Sequence, residues 1–412
     1  MAFDCNYYIA CPFNAFMAPL GLLVISLTLV YIFSEVCRHF NIPRVVGQIF
    51  VGILLGAFAK QLVFSSESLS TFSNLADVGI ILLFFFTGFE VNLKEFQKHF
   101  RNSIGISILN TAIPFIAGTG LSLYLGYGLV EAIIIGICLS VSSTAVSIDF
   151  LEEFGMLKSR IGNIIVTAGA VDDFLELIFI SIIVTFLQVS IGESPLQSLF
   201  IGMLAFIGTA VIIRFLLLPF VLGVIQKEHS SAGLFMIALV LTMAMATFSD
   251  YLGLGSLIGA LIAGVIVRHS IIIERHRRPW EAHEISKTIH TVSFGFLVPI
   301  FFVWVGLNTD LGSIFAKPIL SFAFAAIAIA GTVIGTALAV SWERGKWSDG
   351  ILVGWGVTAK GDVELVVASL ALKNGLISTE IFSALIFMAF STTVIAPIVF
   401  RNLIKGKLAL RA

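Results

Sequence analysis

The sequence predicts an all-α integral membrane protein of about 13 transmembrane helices, built as a six-plus-six inverted repeat with discontinuous helices. Three observations predict it. The composition leaves no water-facing coat, basic residues fall on one side of a series of apolar runs, and the chain is self-similar in copies that run in opposite directions.

Of the 412 residues, 58% are apolar and only 12% charged, with a mean hydropathy of +1.04. A soluble domain carries about 25% charged residues, so a soluble enzyme and a disordered chain are both excluded. A net charge of −1 offers nucleic acid no basic surface. The 38 phenylalanines and long uncharged runs indicate helices rather than a barrel. Four cysteines show no metal spacing: Cys5 and Cys11 near the N-terminus, Cys37 at a membrane edge and Cys138 in an apolar run. Reduced thiols are favoured over a Cys5–Cys11 disulfide. The first sixteen residues contain no basic stretch, so no cleavable signal is expected and the run 17–36 is read as a span that stays.

A spanning helix needs about 20 apolar residues. The runs read as spans 1 to 13 are 17–36, 44–62, 74–92, 102–126, 129–151, 160–188, 196–225, 230–249, 251–267, 289–308, 318–342, 349–373 and 380–400. Of the 24 basic residues, nineteen then fall in loops on the C-terminal side, among them Arg38, Lys94, Lys158, Arg275 and Arg401. Three, Lys60, Lys317 and Lys373, fall on the other side, and Arg214 and Lys360 lie within spans. The positive-inside rule places the C-terminus in the cytoplasm and the N-terminus outside a cell membrane. The basic loop 268–287 is read as part of this topology signal rather than as a regulatory or lipid-binding element. No folded sensing domain is expected after residue 401.

The self-similarity links spans 2 and 9 (Gly47-Gln-Ile-Phe-Val-Gly-Ile-Leu-Leu-Gly56, Gly255-Ser-Leu-Ile-Gly-Ala-Leu-Ile-Ala-Gly264) and spans 3 and 10 (Gly88-Phe-Glu-Val-Asn-Leu93, Gly306-Leu-Asn-Thr-Asp-Leu311). It continues in spans 4 and 11 (Ile116-Ala-Gly-Thr119, Ile329-Ala-Gly-Thr332) and spans 5 and 12 (Thr144-Ala145, Thr358-Ala359). The offsets are 208, 218, 213 and 214 residues. Each pair is seven spans apart, an odd number, so the copies enter the membrane in opposite directions. The single transport domain 1–412 therefore divides into repeat one (about 17–188), a connector (about 196–225) and repeat two (about 230–400). Inverted repeats mark secondary transporters, whose sites lie at paired interrupted helices near the midplane. The polar, small-residue stretch Ser140-Val-Ser-Ser-Thr-Ala145 and the glycine-rich Gly354-Trp-Gly-Val-Thr-Ala-Lys-Gly361 fit, and are read as broken helices because they are repeat partners.

Span 6 carries Asp172, Asp173 and Glu176. Twelve residues separate Arg160 from Asp172, a rise of about 18 Å, which puts the two aspartates near the bilayer centre. A charge there costs at least about 2.5–3.5 kcal/mol. Two buried acids resist joint ionisation, and a bare monovalent cation offsets the cost. Protonation and cation binding then compete for one site, which with alternating access is enough for cation–proton exchange. Glu176 shares the face of the pair and reads as a proton relay, an extra ligand or a structural acid. For Lys360, Asp362 and Glu364 in span 12, a salt bridge that steadies the unwound stretch is favoured over an answer to the aspartates.

These residues give the chain a family likeness. Gly47–Gly56, Leu82-Leu-Phe-Phe-Phe-Thr-Gly-Phe-Glu90, Ser142-Ser-Thr-Ala145, Val171-Asp-Asp173, Phe301-Phe-Val-Trp-Val-Gly306 and Lys360-Gly-Asp-Val-Glu364 resemble the monovalent cation:proton antiporters. The likeness is to the branch of bacterial sodium/proton exchangers and potassium efflux antiporters, and it covers nearly the whole chain. It implies the sodium/proton antiporter fold with broken helices crossing at spans 5 and 12, a homodimer, and no cofactor beyond the transported cation. That cation is Na+ ahead of Li+ and K+, held at Asp172 and Asp173 with Asp173 as the essential carboxylate. Ser143 and Thr144 would line the crossing, and Thr358 is their counterpart. Three departures stand out. The span-11 lysine of many double-aspartate relatives is replaced by Thr332, with no basic residue in 318–342; span 12 has Lys360-Gly-Asp where Arg-Gly-Glu is usual; and Glu176 stands where small residues are usual. A second bound cation or proton and a displaced salt bridge both fit this more acidic core. The competing function is a gated monovalent cation channel or a non-transporting sensor on the same fold. No nucleophile–base pair or metal set suggests an enzyme.

Overall fold

The computed structural model describes residues 19–40, 42–58, 66–90, 93–157, 159–169, 171–172, 196–218, 220, 231–270, 287–342, 346–361 and 363–409. Among them every regular element is helical, and six helices are each long and apolar enough to cross a membrane. Spans 1 to 4 fall on the helices Pro19–His39, Arg44–Phe58, Ser66–Glu90 and Leu93–Tyr124. Span 5 is split into Leu129–Ser140 and Thr144–Glu153, and span 12 into Trp347–Val357 and Val363–Lys373. Span 6 is helical over 160–169 and 171–172. Spans 8, 9, 11 and 13 are Ser231–Tyr251, Ser256–Arg268, Pro318–Trp342 and Thr379–Ala409.

Two spans contain a widened π turn. Span 7 runs from Leu196–Ile212 into Ile213–Leu217, where the Arg214 guanidinium lies over the Phe215 ring at 4.9 Å. Span 10 passes through Ser293–Leu297 into Val298–Leu307. The N-terminal cysteines, the rest of span 6 and most of the basic loop lie outside the described residues.

The surface chemistry suits lipid. On Pro318–Trp342, Ile319 is 84% and Phe322 63% exposed, while Phe324, Ala328 and Thr332 on the opposite side are fully buried. Contiguous apolar exposure of this kind marks a membrane or protein contact. The interior is built where glycines let backbones touch. A Cβ on Gly306 would lie 2.3 Å from the Ile49 carbonyl oxygen and 2.7 Å from the Gly52 Cα, joining spans 10 and 2. A Cβ on Gly264 would lie 2.1 Å from the Phe85 carbonyl oxygen, joining spans 9 and 3. Span 2 thus packs on span 10, and span 9 on span 3, through close backbone approaches at glycine. Phe84, Phe85 and Phe89 of span 3 and Phe301 and Phe302 of span 10 fill the volume around these contacts.

Because the atoms facing Gly306 are backbone, they have no rotamer to escape into. Gly306→Ala is expected to destabilise the protein by about 1–3 kcal/mol through overpacking, seen as a lower melting temperature of the detergent-purified protein. Gly120→Ala, whose Cβ meets nothing within 4 Å, is expected to show no loss.

One end of the bundle is dressed with polar contacts. Lys373 pairs with Asp77 and Lys317 with Glu380, each at 2.7 Å. Asp310 caps the short helix Leu311–Ala316 by accepting from the Gly312 and Ser313 amides, and the Ser313 hydroxyl holds its carboxyl below the usual range. The Asp310 amide donates to Ser383 Oγ (2.8 Å), which ties the end of span 10 to span 13.

Candidate functional site

Spans 5 and 12 stop and restart for local reasons. Leu129–Ser140 ends at Val141, whose ψ of 140° turns the chain extended. It resumes at Thr144, where Ser143 Oγ accepts from the Val146 amide (3.3 Å) in the manner of an N-cap. Trp347–Val357 ends with the Thr358 hydroxyl donating to the Gly354 carbonyl (2.7 Å). Helix ends leave free carbonyls on one side and free amides on the other, and inside a bilayer these need partners. Here the two breaks satisfy each other. The Ser143 amide donates to the Ala359 carbonyl (2.8 Å), and Lys360 Nζ donates to the Val141 carbonyl. Lys360 is completely buried. Its positive charge sits at the carbonyl-rich, partly negative end of Leu129–Ser140. Glu364 is 1% exposed and occupies the first turn of Val363–Lys373, the helix end that favours an anion.

Span 6 brings Asp172 against this crossing at 2% exposure. Its Oδ2 accepts from Asn110 Nδ2 of span 4 (2.9 Å) and from Ser142 Oγ in the span-5 break (3.2 Å). Both donors are neutral, so they hold the carboxylate in place without cancelling its charge. Lys360, on the Val141 carbonyl, and Asp172, on the Ser142 hydroxyl, engage neighbouring residues of the same break. One turn earlier, Ser107 Oγ donates to the Ala168 carbonyl (3.0 Å), a second tie between spans 4 and 6. Gly169 lets span 6 come close to the crossing: a Cβ there would lie 2.5 Å from Thr144 Oγ1.

The structure thus places Asp172, Ser143, Thr144 and Lys360 at the crossing and buries Thr358 and Glu364 on the two sides of the span-12 break, while Asp173, Glu176 and Asp362 lie outside the described residues. Thr332 is fully buried on the interior side of span 11. Sequence reasoning missed Asn110 and Ser107, and treated Ser142 only as part of a motif. The available signal for Asn110 was its carboxamide in an otherwise apolar run, where a lipid-facing position is costly. Lys360 reaches a backbone carbonyl, a partner that a search for oppositely charged residues does not find.

With this geometry in hand, the comparisons are specific. Residues 24–406 match the family model described as the sodium/hydrogen exchanger, transmembrane. The Na+/H+ antiporter of Enterococcus hirae is 26% identical over 389 residues, covering 94% of this chain and 98% of its own. The Na+/H+-K+ antiporter GerN of Bacillus cereus is 26% identical over 355 residues, 86% of this chain and 88% of its own. Among solved structures, the sodium proton antiporter MjNhaP1 of Methanocaldococcus jannaschii shares the fold, with a TM-score of 0.67 over 96% of this chain and 98% of that one at 15% identity.

Proposed function

Because the chain belongs to the transmembrane sodium/hydrogen exchanger family, we propose that it exchanges Na+ for protons by alternating access, with cation and proton competing for Asp172 and Asp173. The observation that carries this reading is the setting of Asp172: buried inside the membrane-spanning bundle, against two mutually bonded helix breaks, and held by neutral donors. A carboxylate so placed keeps a charge that its hydrogen-bond donors do not cancel and that either a proton or a cation can answer. Na+ leads because both relatives named above are Na+/H+ antiporters; K+, which the GerN name adds, and Li+ come next. The same reading includes thirteen spans, the repeat halves 17–188 and 230–400 about the connector 196–225, and a homodimer. It also includes a cell-membrane location with the C-terminus in the cytoplasm.

The test is cation-evoked proton movement in vesicles that hold the purified protein, with Na+, Li+ and K+ across a range of pH, beside Asp173→Asn. The expected result is proton movement driven by Na+ and absent from the variant. The apparent KM for the cation should rise as pH falls, because protons occupy the shared site. Tracer cation flux without proton movement would replace the exchanger with a channel, and silence in both assays would indicate a non-transporting member.

A further inference from the structure

Four buried oxygen atoms at the junction of spans 4, 6 and 11 have no hydrogen-bond partner: Asp172 Oδ1, Asn110 Oδ1, Thr332 Oγ1 and Thr336 Oγ1. Asp172 is 2% exposed and the other three residues 0%. A buried polar atom without a partner costs roughly 1–3 kcal/mol, and native interiors hold few of them. Four on the walls of one junction call for a common occupant.

Helix geometry places them together. Pro318–Trp342 meets span 4 through Gly331 against Pro114 and Gly335 against Leu109 and Asn110, and meets span 12 through Val333 and Thr336 against Gly354. At 3.6 residues per turn, Thr332 points inward between these two contact faces. Ile334, on the far side, is 47% exposed. Thr332 and Thr336 are four residues apart and share one face. Ala339, about one turn beyond Thr336, packs in one cluster with Ala168, which is one turn before Asp172. Asn110 bonds Asp172 directly. Asn110, Asp172 and Thr336 therefore lie at one level, with Thr332 one turn along.

We propose that Asn110, Thr332 and Thr336 extend the Asp172 site, supplying oxygen ligands to a second, partly hydrated monovalent cation. The proposal rests on the exchanger reading and concerns what else its site holds. The chemistry favours a cation. The Asn110 amide nitrogen is engaged with Asp172, so the group it offers the junction is its carbonyl oxygen. The carboxylate brings negative charge, and hydroxyl and carbonyl oxygens replace hydration water around a monovalent ion. Nothing basic lies on 318–342 to compete for Asp172 from that side.

The test pairs binding with transport, using the purified full chain. Melting temperature is measured against Na+, Li+ and K+, and the Hill coefficient and apparent KM are measured in vesicles. The variants are the double substitution Thr332→Val with Thr336→Val, which keeps shape and removes both hydroxyls, and the double Thr→Ser substitution, which keeps the hydroxyls. The wild type is expected to melt higher with cation and to show a Hill coefficient above one. The Val pair should keep only part of the cation-dependent rise, show a Hill coefficient of one, and need about tenfold more cation, the scale of one lost ligand contact to a charged group. The Ser pair should restore all three. Wild-type cooperativity and thermal response in the Val pair would overturn the proposal, as would a wild type that shows neither. If the Val pair does not fold, the two single Val variants are read by the same measurements. If the wild type moves no protons yet its cation-dependent melting shift shrinks in the Val pair and returns in the Ser pair, the exchange reading fails and the site stands.

Discussion

An Asp172→Asn chain is expected to fold as the parent does and yet to need about a hundredfold more cation for half-maximal exchange, the loss of roughly 2.8 kcal/mol of binding. The structure separates the two effects. Asp172 uses only Oδ2 to accept hydrogen bonds, from Asn110 and Ser142, and a carboxamide oxygen accepts from both equally well. Its Oδ1 has no hydrogen-bond partner, so the new amide group displaces none. What disappears is the charge. Melting temperature in the absence of cation and apparent KM in vesicles check the two halves of this expectation. An unchanged KM would make the carboxylate a structural acceptor only.

Lys360→Met is expected to be the most damaging single change at the crossing, costing about 3–5 kcal/mol, the scale of a buried charge left without its partner. Two losses coincide. The Val141 carbonyl keeps no donor in place of Nζ, and Glu364, buried four residues along the chain, loses the positive charge nearest to it in sequence. Lys360→Arg keeps the charge and the donors, so it is expected to retain most of the stability. A large fall in melting temperature for Met and a small one for Arg is the expected pattern. Equal, small falls would mean that the crossing is held by the Ser143–Ala359 bond and packing alone.

Much of this was legible in the chain. Apolar run length marked the spans, and the pairing of Ser140–Ala145 with Gly354–Gly361 marked where two of them break. Those signals are local: they record where a helix can and cannot continue. The partners of Asp172 were not legible, because Asn110 lies 62 residues away in sequence and Ser142 lies 30. Helical periodicity tells which face a residue occupies but not which helix it meets. Lys360 was legible only in part: a basic residue among acids suggests an ion pair, but nothing in the chain shows that its Nζ also reaches the Val141 carbonyl at the end of another helix. Thr336 escaped notice because one threonine in an apolar helix reads as a residue bonded to its own backbone. Its significance comes from facing the same junction as Thr332.

The mutual bonding of the two breaks also has a consequence in time. Lys360 follows Val141 by 219 residues. At about 5–20 residues per second, the ribosome needs roughly 10–45 s to supply the group that completes the first break. Over that interval the stretch 141–143 cannot rest against lipid, since open backbone is not tolerated in hydrocarbon. The first half of the protein must keep it hydrated or packed inward until the second half arrives. Neither half is a finished product alone, and biogenesis passes through a stage in which the future crossing is an unfilled gap in the backbone.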